Sequence, residues 1–174
     1  MKCFVEEQKF GSLGLYLIMG LIYSISLGFL LYGNIMQFKY DQPWGNKPMS
    51  DNGLITTTVL VVVVLVVSAV LLFGSKLVTI INSEGINYSF WPYFKKQKLI
   101  PFERIKEFRI RQYRPLIEYG GWGIKKGGRK YGDAINVSGN KGLQLILDDG
   151  KKILIGTQRP DAVKRAMYKL MEKI

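Results

Sequence analysis

Two uninterrupted apolar runs dominate the first part of the chain. No charged residue lies between positions 10 and 38, and the centre of that stretch, 13–32, is leucine, isoleucine, tyrosine and glycine with one methionine, one phenylalanine and two serines. The second run, 54–73, contains Val59-Leu-Val-Val-Val-Val-Leu-Val-Val67 and no charge. A helix rises about 1.5 Å per residue, so about 20 residues cross a hydrocarbon core about 30 Å thick. Valine alone would also suit a strand, but a run this long exceeds one, and in lipid the backbone bonds must close within the segment. The pattern predicts two transmembrane helices, at about 11–33 and 54–73, joined by a short turn containing Pro43-Trp44-Gly45. Tyr40 and Trp44 suit an interface. The first run is read as retained rather than as a signal peptide: its flank holds Glu6-Glu7 and no positive excess, and it outruns a signal core of about 7–15 residues.

Beyond residue 75 the period shortens. Alternating runs predict strands at 77–81, 86–91, 98–102, 105–113, 117–124, 134–137, 143–147 and 151–155. Ser83-Glu84-Gly85 and Asp148-Asp149-Gly150 read as hairpin turns, where glycine and aspartate tolerate positive φ. The end of the chain reads as a helix. Pro160 suits its first position, and Val163, Ala166, Met167, Leu170, Met171 and Ile174 recur as one apolar stripe for closing the core. The predicted class is an α+β membrane protein: residues 1–75 form the helical hairpin and 76–174 a soluble domain of strands closed by one helix.

Charge sharpens this division. Four lysines and four acids lie before residue 76, so 21 of the 25 basic and 9 of the 13 acidic residues follow, and the whole net charge of +12 sits in the second part. Lysines 76, 95, 96 and 98 follow the second run, whereas the connector balances two lysines with two aspartates. The positive-inside rule then places both termini in the cytoplasm. A basic domain tied to a membrane meets acidic lipid headgroups first. Nucleic acid is disfavoured, since no helix-turn-helix or RNA-recognition signature accompanies the charge.

Several chemistries are excluded or left without support. Cys3 is the only cysteine, so no internal disulfide or thiolate cluster can form; beside a membrane helix it is a candidate for lipidation, or an incidental thiol. There is no histidine, which removes the commonest general base and metal ligand. No cofactor or metal is expected, and no catalytic residue. An enzymatic reading would have to use Glu118 beside Tyr119, or Asp133, with no partner legible for either. Ionisable groups are missing from the depth of both runs, which argues against an ion pathway.

Candidate contacts are therefore electrostatic. Lys95, Lys96 and Lys98 form one basic cluster. Residues 118–132 form a second, in which Lys125, Lys126, Arg129 and Lys130 stand among six glycines and three aromatic residues. Such a segment reads either as a flexible anion-gripping loop or as a strand connection whose glycines permit turns. Arg109, Arg111 and Arg114 suggest a stripe on one sheet face. In the first helix Gly20, Ser24 and Gly28 share a face and predict close helix packing, against the second helix or a second copy of the chain.

The phrases Ile100-Pro-Phe-Glu-Arg-Ile105, Tyr113-Arg-Pro-Leu-Ile-Glu-Tyr-Gly-Gly-Trp-Gly123, Asn136-Val-Ser-Gly-Asn140, Gly142-Leu-Gln-Leu and Ile155-Gly-Thr-Gln-Arg-Pro160 carry a resemblance. With the hairpin before them, they make the chain similar to an uncharacterised family of two-span bacterial membrane proteins with a C-terminal bacterial pleckstrin-homology (PH)-like domain. The resemblance implies a PH-like barrel or sandwich capped by a C-terminal helix, at the bacterial inner membrane. It implies no activity, since the fold hosts lipid, peptide and protein recognition alike. The reading that follows is a non-catalytic, membrane-anchored module for anionic lipid headgroups or a membrane-associated protein. The alternative is a structural or regulatory subunit of a larger membrane assembly, docked through its spans or a barrel edge.

Overall fold

A computed structural model describes residues 2–11 and 13–171, without the side chains of Lys2 and Cys3. The thiol of Cys3, Lys173 and Ile174 therefore lie outside the described residues. The chain forms two compact units, Met1–Phe10 with Gly74–Ile174, and Gly11–Phe73.

The second unit is a helical hairpin of α1 (Leu13–Lys39) and α2 (Asp51–Phe73). Both helices are long and apolar enough to cross a membrane, and almost none of their residues are buried. α1 runs past the predicted end because Gly33 and Asn34 are accommodated: Trp44 folds back over Gly33, and Asn34 Nδ2 donates to Leu30 O at 2.8 Å and Thr58 Oγ1 at 2.9 Å. The two helices are tied further by a Tyr23–Ser68 hydroxyl contact at 2.8 Å and by Phe73 packed on Tyr16 and Tyr23.

The other unit contains two sheets. The first orders β1 (Lys2–Lys9), β2 (Lys76–Asn82), β3 (Gly85–Trp91) and β4 (Phe94–Pro101) as an antiparallel meander. The second has the order β5–β8–β9–β7–β6, from β5 (Ile105–Gln112), β6 (Gly123–Lys126), β7 (Asp133–Asn136), β8 (Lys141–Leu147) and β9 (Lys152–Gly156). β7 and β9 run parallel; every other pair in that sheet is antiparallel. α5 (Pro160–Met171) lays Val163, Ala166, Met167 and Leu170 onto a core built from Phe4, Leu77, Ile86, Phe90, Leu143, Leu145 and Ile155. Met171 departs from the predicted stripe: it is 44% exposed.

Two features depart from the predicted organisation. The boundary at residue 75 assigns residues 2–9 to the hairpin, yet they form β1, an edge strand of the sheet unit. β1 pairs with β2 from Lys2↔Asn82 to Lys9↔Lys76, so the helical hairpin is an insertion between two neighbouring strands. β1 turns Phe4, Glu6 and Gln8 inward and Glu7 outward. Glu6 is 4% exposed; its carboxylate accepts from Thr157 Oγ1 at 2.6 Å and Gln158 N at 2.8 Å, where the chain enters α5. Gln8 Nε2 donates to Gly156 O at 2.7 Å.

The second departure is at 117–124, where only Gly123 and Ile124, the start of β6, are in a strand. Pro115 opens a short helix, α3 (Pro115–Tyr119), and Gly120 closes it at φ 68°, the left-handed geometry a helix end favours. Glu118 Oε1 accepts from Arg114 N at 2.8 Å and so caps α3 from within. After β6 comes α4 (Gly128–Tyr131), and the stretch 118–132 is a folded cover rather than a flexible loop. It lies on the face of the second sheet that the main core does not use. There Tyr113, Tyr119, Ala134, Leu154 and Tyr131 form a second, smaller core.

Candidate functional site

The predicted basic residues come from distant stretches, and the two-sheet fold brings some of them together. Lys98 stands on β4 opposite Tyr88 of β3, at the open edge of the first sheet. Lys125 and Lys126 stand on β6, the open edge of the second. These edges flank a groove of about 220 Å³ whose walls include Tyr88, Phe94, Lys98, Lys125, Lys126 and Lys151. Tyr88, Lys98 and Lys151 also line an adjoining depression of about 460 Å³ that runs toward Arg104 and Asp149.

The groove's electrostatics follow from its pairs. Lys151 Nζ sits 3.2 Å from Asp133, so one of the four lysines is locally neutralised. Lys98 Nζ lies 4.4 Å from the centre of the Phe94 ring, a cation–π contact that holds the ammonium at the rim. Burial, and secondarily the Asp133 carboxylate, push the Tyr88 phenol above its ordinary value, so it stays a neutral hydroxyl. Arg104 is occupied at the far end by Asp148 at 3.2 Å and Asp149 at 2.7 Å. Those aspartates belong to the β8–β9 turn, where Gly150 N donates to Leu147 O at 2.9 Å and Gly150 takes φ 76°.

The other predicted residues are placed elsewhere. Lys95 and Lys96 are exposed on β4 and line neither depression; with Tyr93 they lie at the end of the first sheet where Lys9 pairs with Lys76 and Lys76 with Trp91. Arg129 is exposed on α4. Lys130 faces a different hollow, shared with Arg109 and Arg111. Of the arginine stripe, Arg109 and Arg111 share a sheet face while Arg114 leaves it to precede α3. Gly20, Ser24 and Gly28 are exposed, and a Cβ built on Gly20 or Gly28 meets nothing within 4 Å. The packing of α1 on α2 therefore uses another face, marked by Tyr23 and Asn34, which contact Ser68 and Thr58. Both carboxylates weighed for catalysis have structural partners: Asp133 has Lys151, and Glu118 Oε2 lies 2.8 Å from Arg111 Nη1.

Tyr88 and Lys151 were not legible as site residues. Tyr88 shares its strand face with Ile86 and Phe90 and reads as core, while Lys151 reads as the residue after a turn. Only the meeting of the two sheet edges gives them a common surface. Comparison with known proteins adds no relative: no family model, no curated protein and no solved structure matches the chain.

Proposed function

We propose that the chain is a membrane-anchored, non-catalytic PH-like module that binds anionic lipid headgroups at the cytoplasmic face of a bacterial inner membrane. The observation that carries this reading is the placement of the hairpin between β1 and β2. Phe10 N donates to Ser75 O at 3.2 Å, extending the β1–β2 ladder to the two points where the chain enters and leaves the hairpin. Only Phe10, Gly11 and Ser12 separate β1 from α1, and only Gly74 and Ser75 separate α2 from β2. With α1 and α2 in the bilayer, connections this short tether a domain of 23 basic and 11 acidic residues beside the headgroups.

The topology supports the PH-like part. A four-stranded meander is followed by a second antiparallel meander, β5–β8–β9, and then by α5, with α3, β6, α4 and β7 inserted between β5 and β8. Each lysine near an anionic leaflet gains about 1 kcal/mol within a Debye length of about 8 Å. Lys95 and Lys96 supply that attraction at the hairpin end of the sheet, and Lys98, Lys125 and Lys126 offer a groove for a headgroup.

The full-length chain in nanodiscs tests this through amine labelling of individual lysines. Labelling of Lys95, Lys96, Lys98, Lys125 and Lys126 is expected to slow in phosphatidylglycerol discs relative to phosphatidylcholine discs, and to recover at high salt. Equal labelling in both lipids would sink the proposal. The unpaired outer edges of β4 and β6 favour the second reading, a subunit docking a membrane partner. Crosslinks from these strands to one recurring protein in native membranes would establish it.

A further inference from the structure

The hollow on the far face of the second sheet has a chemistry of its own. β5 carries Arg109 and Arg111 there, β8 carries Gln144 and Ile146, β9 carries Lys152, and α4 brings Lys130 and Tyr131 over the top. The space is about 210 Å³. Arg111 is its fixed wall. Nε donates to Gln144 Oε1 at 3.0 Å, Nη2 donates to the Tyr119 hydroxyl at 3.0 Å, and Nη1 lies 2.8 Å from Glu118 Oε2. That last contact is an ion pair without hydrogen-bond alignment, since Glu118 Oε2 has no hydrogen-bond partner among the described residues. The Arg111 and Glu118 side chains are 19% and 11% exposed, and Tyr119 passes the network on by donating to Tyr131 O at 3.2 Å.

Among the described residues one acid answers one arginine, and three further cations of the hollow have no ion pair. Lys152 Nζ donates only to the Lys130 carbonyl, at 3.2 Å. Among the described residues Lys130 Nζ, 5.1 Å from the centre of the Tyr131 ring, has no carboxylate, and the Arg109 side chain has no ion pair or hydrogen bond. Three uncompensated cations around one small hollow repel one another until a multivalent anion enters. A guanidinium fork beside two ammoniums suits the several oxygens of a phosphate better than the two of a carboxylate. Ile146 and Tyr131 give an apolar wall for the carbon side of an ester.

We propose that this hollow binds a phosphomonoester dianion, held by Arg109, Lys130 and Lys152 against the Arg111 frame. The proposal does not rest on the groove between β4 and β6 and uses none of its lysines. The phosphomonoester is either free or the headgroup of phosphatidic acid, and the test separates the two. The full-length chain in phosphatidylcholine nanodiscs is titrated calorimetrically with glycerol phosphate. In parallel, discs containing phosphatidic acid are compared with discs containing phosphatidylglycerol, a phosphodiester, by amine labelling of Lys130 and Lys152. Saturable binding of glycerol phosphate assigns a soluble ligand; protection by phosphatidic acid alone assigns the lipid.

In either case affinity is expected to rise between pH 5 and pH 7, since the second phosphate ionisation lies at about 6. Arg109→Gln with Lys152→Gln is expected to weaken binding by about tenfold or more, from the loss of two charge-assisted contacts. Lys98→Gln with Lys126→Gln, in the groove, should leave it unchanged. Unchanged thermal midpoints would show that the variants fold. No heat and no preference for phosphatidic acid would overturn the proposal, as would binding that the Arg109/Lys152 pair does not alter.

Discussion

Glu6 and Glu7 are neighbours of identical chemistry with opposite environments, and replacing each by alanine tests the structure of β1. Glu7 is about half exposed and pairs with Lys76 at 2.7 Å. An ion pair this wet contributes below about 1 kcal/mol, so Glu7→Ala should cost no more than that. Glu6 is buried, and its two oxygens satisfy Thr157 Oγ1 and Gln158 N. Hydrogen bonds to a charged group contribute about 1.5–3 kcal/mol each, and their loss strands two donors. Removing a buried carboxylate also relieves its desolvation, which leaves a net cost of about 3 kcal/mol for Glu6→Ala. Glu6→Gln keeps one oxygen for Gln158 N and should recover roughly half of that. The assay is urea unfolding of the full chain in detergent, followed by Trp91 and Trp122 fluorescence in a Trp44→Phe background. If Glu6→Ala and Glu7→Ala shift the unfolding midpoint equally, β1 does not pair as described.

Two further predictions concern the second sheet. Burial pushes the Tyr113 phenol from 10.0 up to about 12, with Asn136 offsetting part of the rise. The unfolded chain ionises first, so this group's stabilisation is complete below pH 10 and declines as pH rises toward 12. At about 1.4 kcal/mol per pH unit the loss is on the order of 2–3 kcal/mol. Tyr113→Phe should flatten that alkaline limb, and ultraviolet titration should show one phenol ionising last; an onset for Tyr113 with the exposed tyrosines would refute this. Gly120 and Gly132 both hold positive φ, but a Cβ on Gly120 meets open space while one on Gly132 collides with the Lys152 backbone. Gly120→Ala should cost about 1 kcal/mol from the left-handed backbone alone, and Gly132→Ala at least about 2 kcal/mol. Equal shifts in thermal midpoint would contradict the close approach of Gly132 to β9.

What the sequence made legible was whatever depends on short-range pattern. The apolar runs, the Asp148-Asp149-Gly150 turn and the buried positions of α5 from Val163 to Leu170 follow from period and turn chemistry. β1 escaped because its inward residues include Glu6 and Gln8. A polar pair facing inward inverts the alternation that marks a half-buried strand, and the partners that satisfy it lie about 150 residues away. The stretch 117–124 misled in a similar way. Of its residues only Tyr119 joins the second core, while Ile117 and Ile124 stay exposed, and Pro115 with Gly120 sets a helical turn between strands. The groove was half legible: the lysines stood out as clusters, but no local pattern states that the edges of β4 and β6 face each other.

The insertion of the hairpin between β1 and β2 bears on how the protein is made. β1 leaves the ribosome first and must wait for β2, which follows the whole hairpin. If α1 and α2 both enter the bilayer, the chain returns to its original side and Lys9 can meet Lys76. If only one enters, the two strands end on opposite sides, Glu6 never reaches Thr157, and the core lacks Phe4. On the proposed reading that α1 and α2 span a membrane, completion of the first sheet makes correct threading a condition of folding, and a misthreaded chain would expose an unfinished core to quality-control proteases.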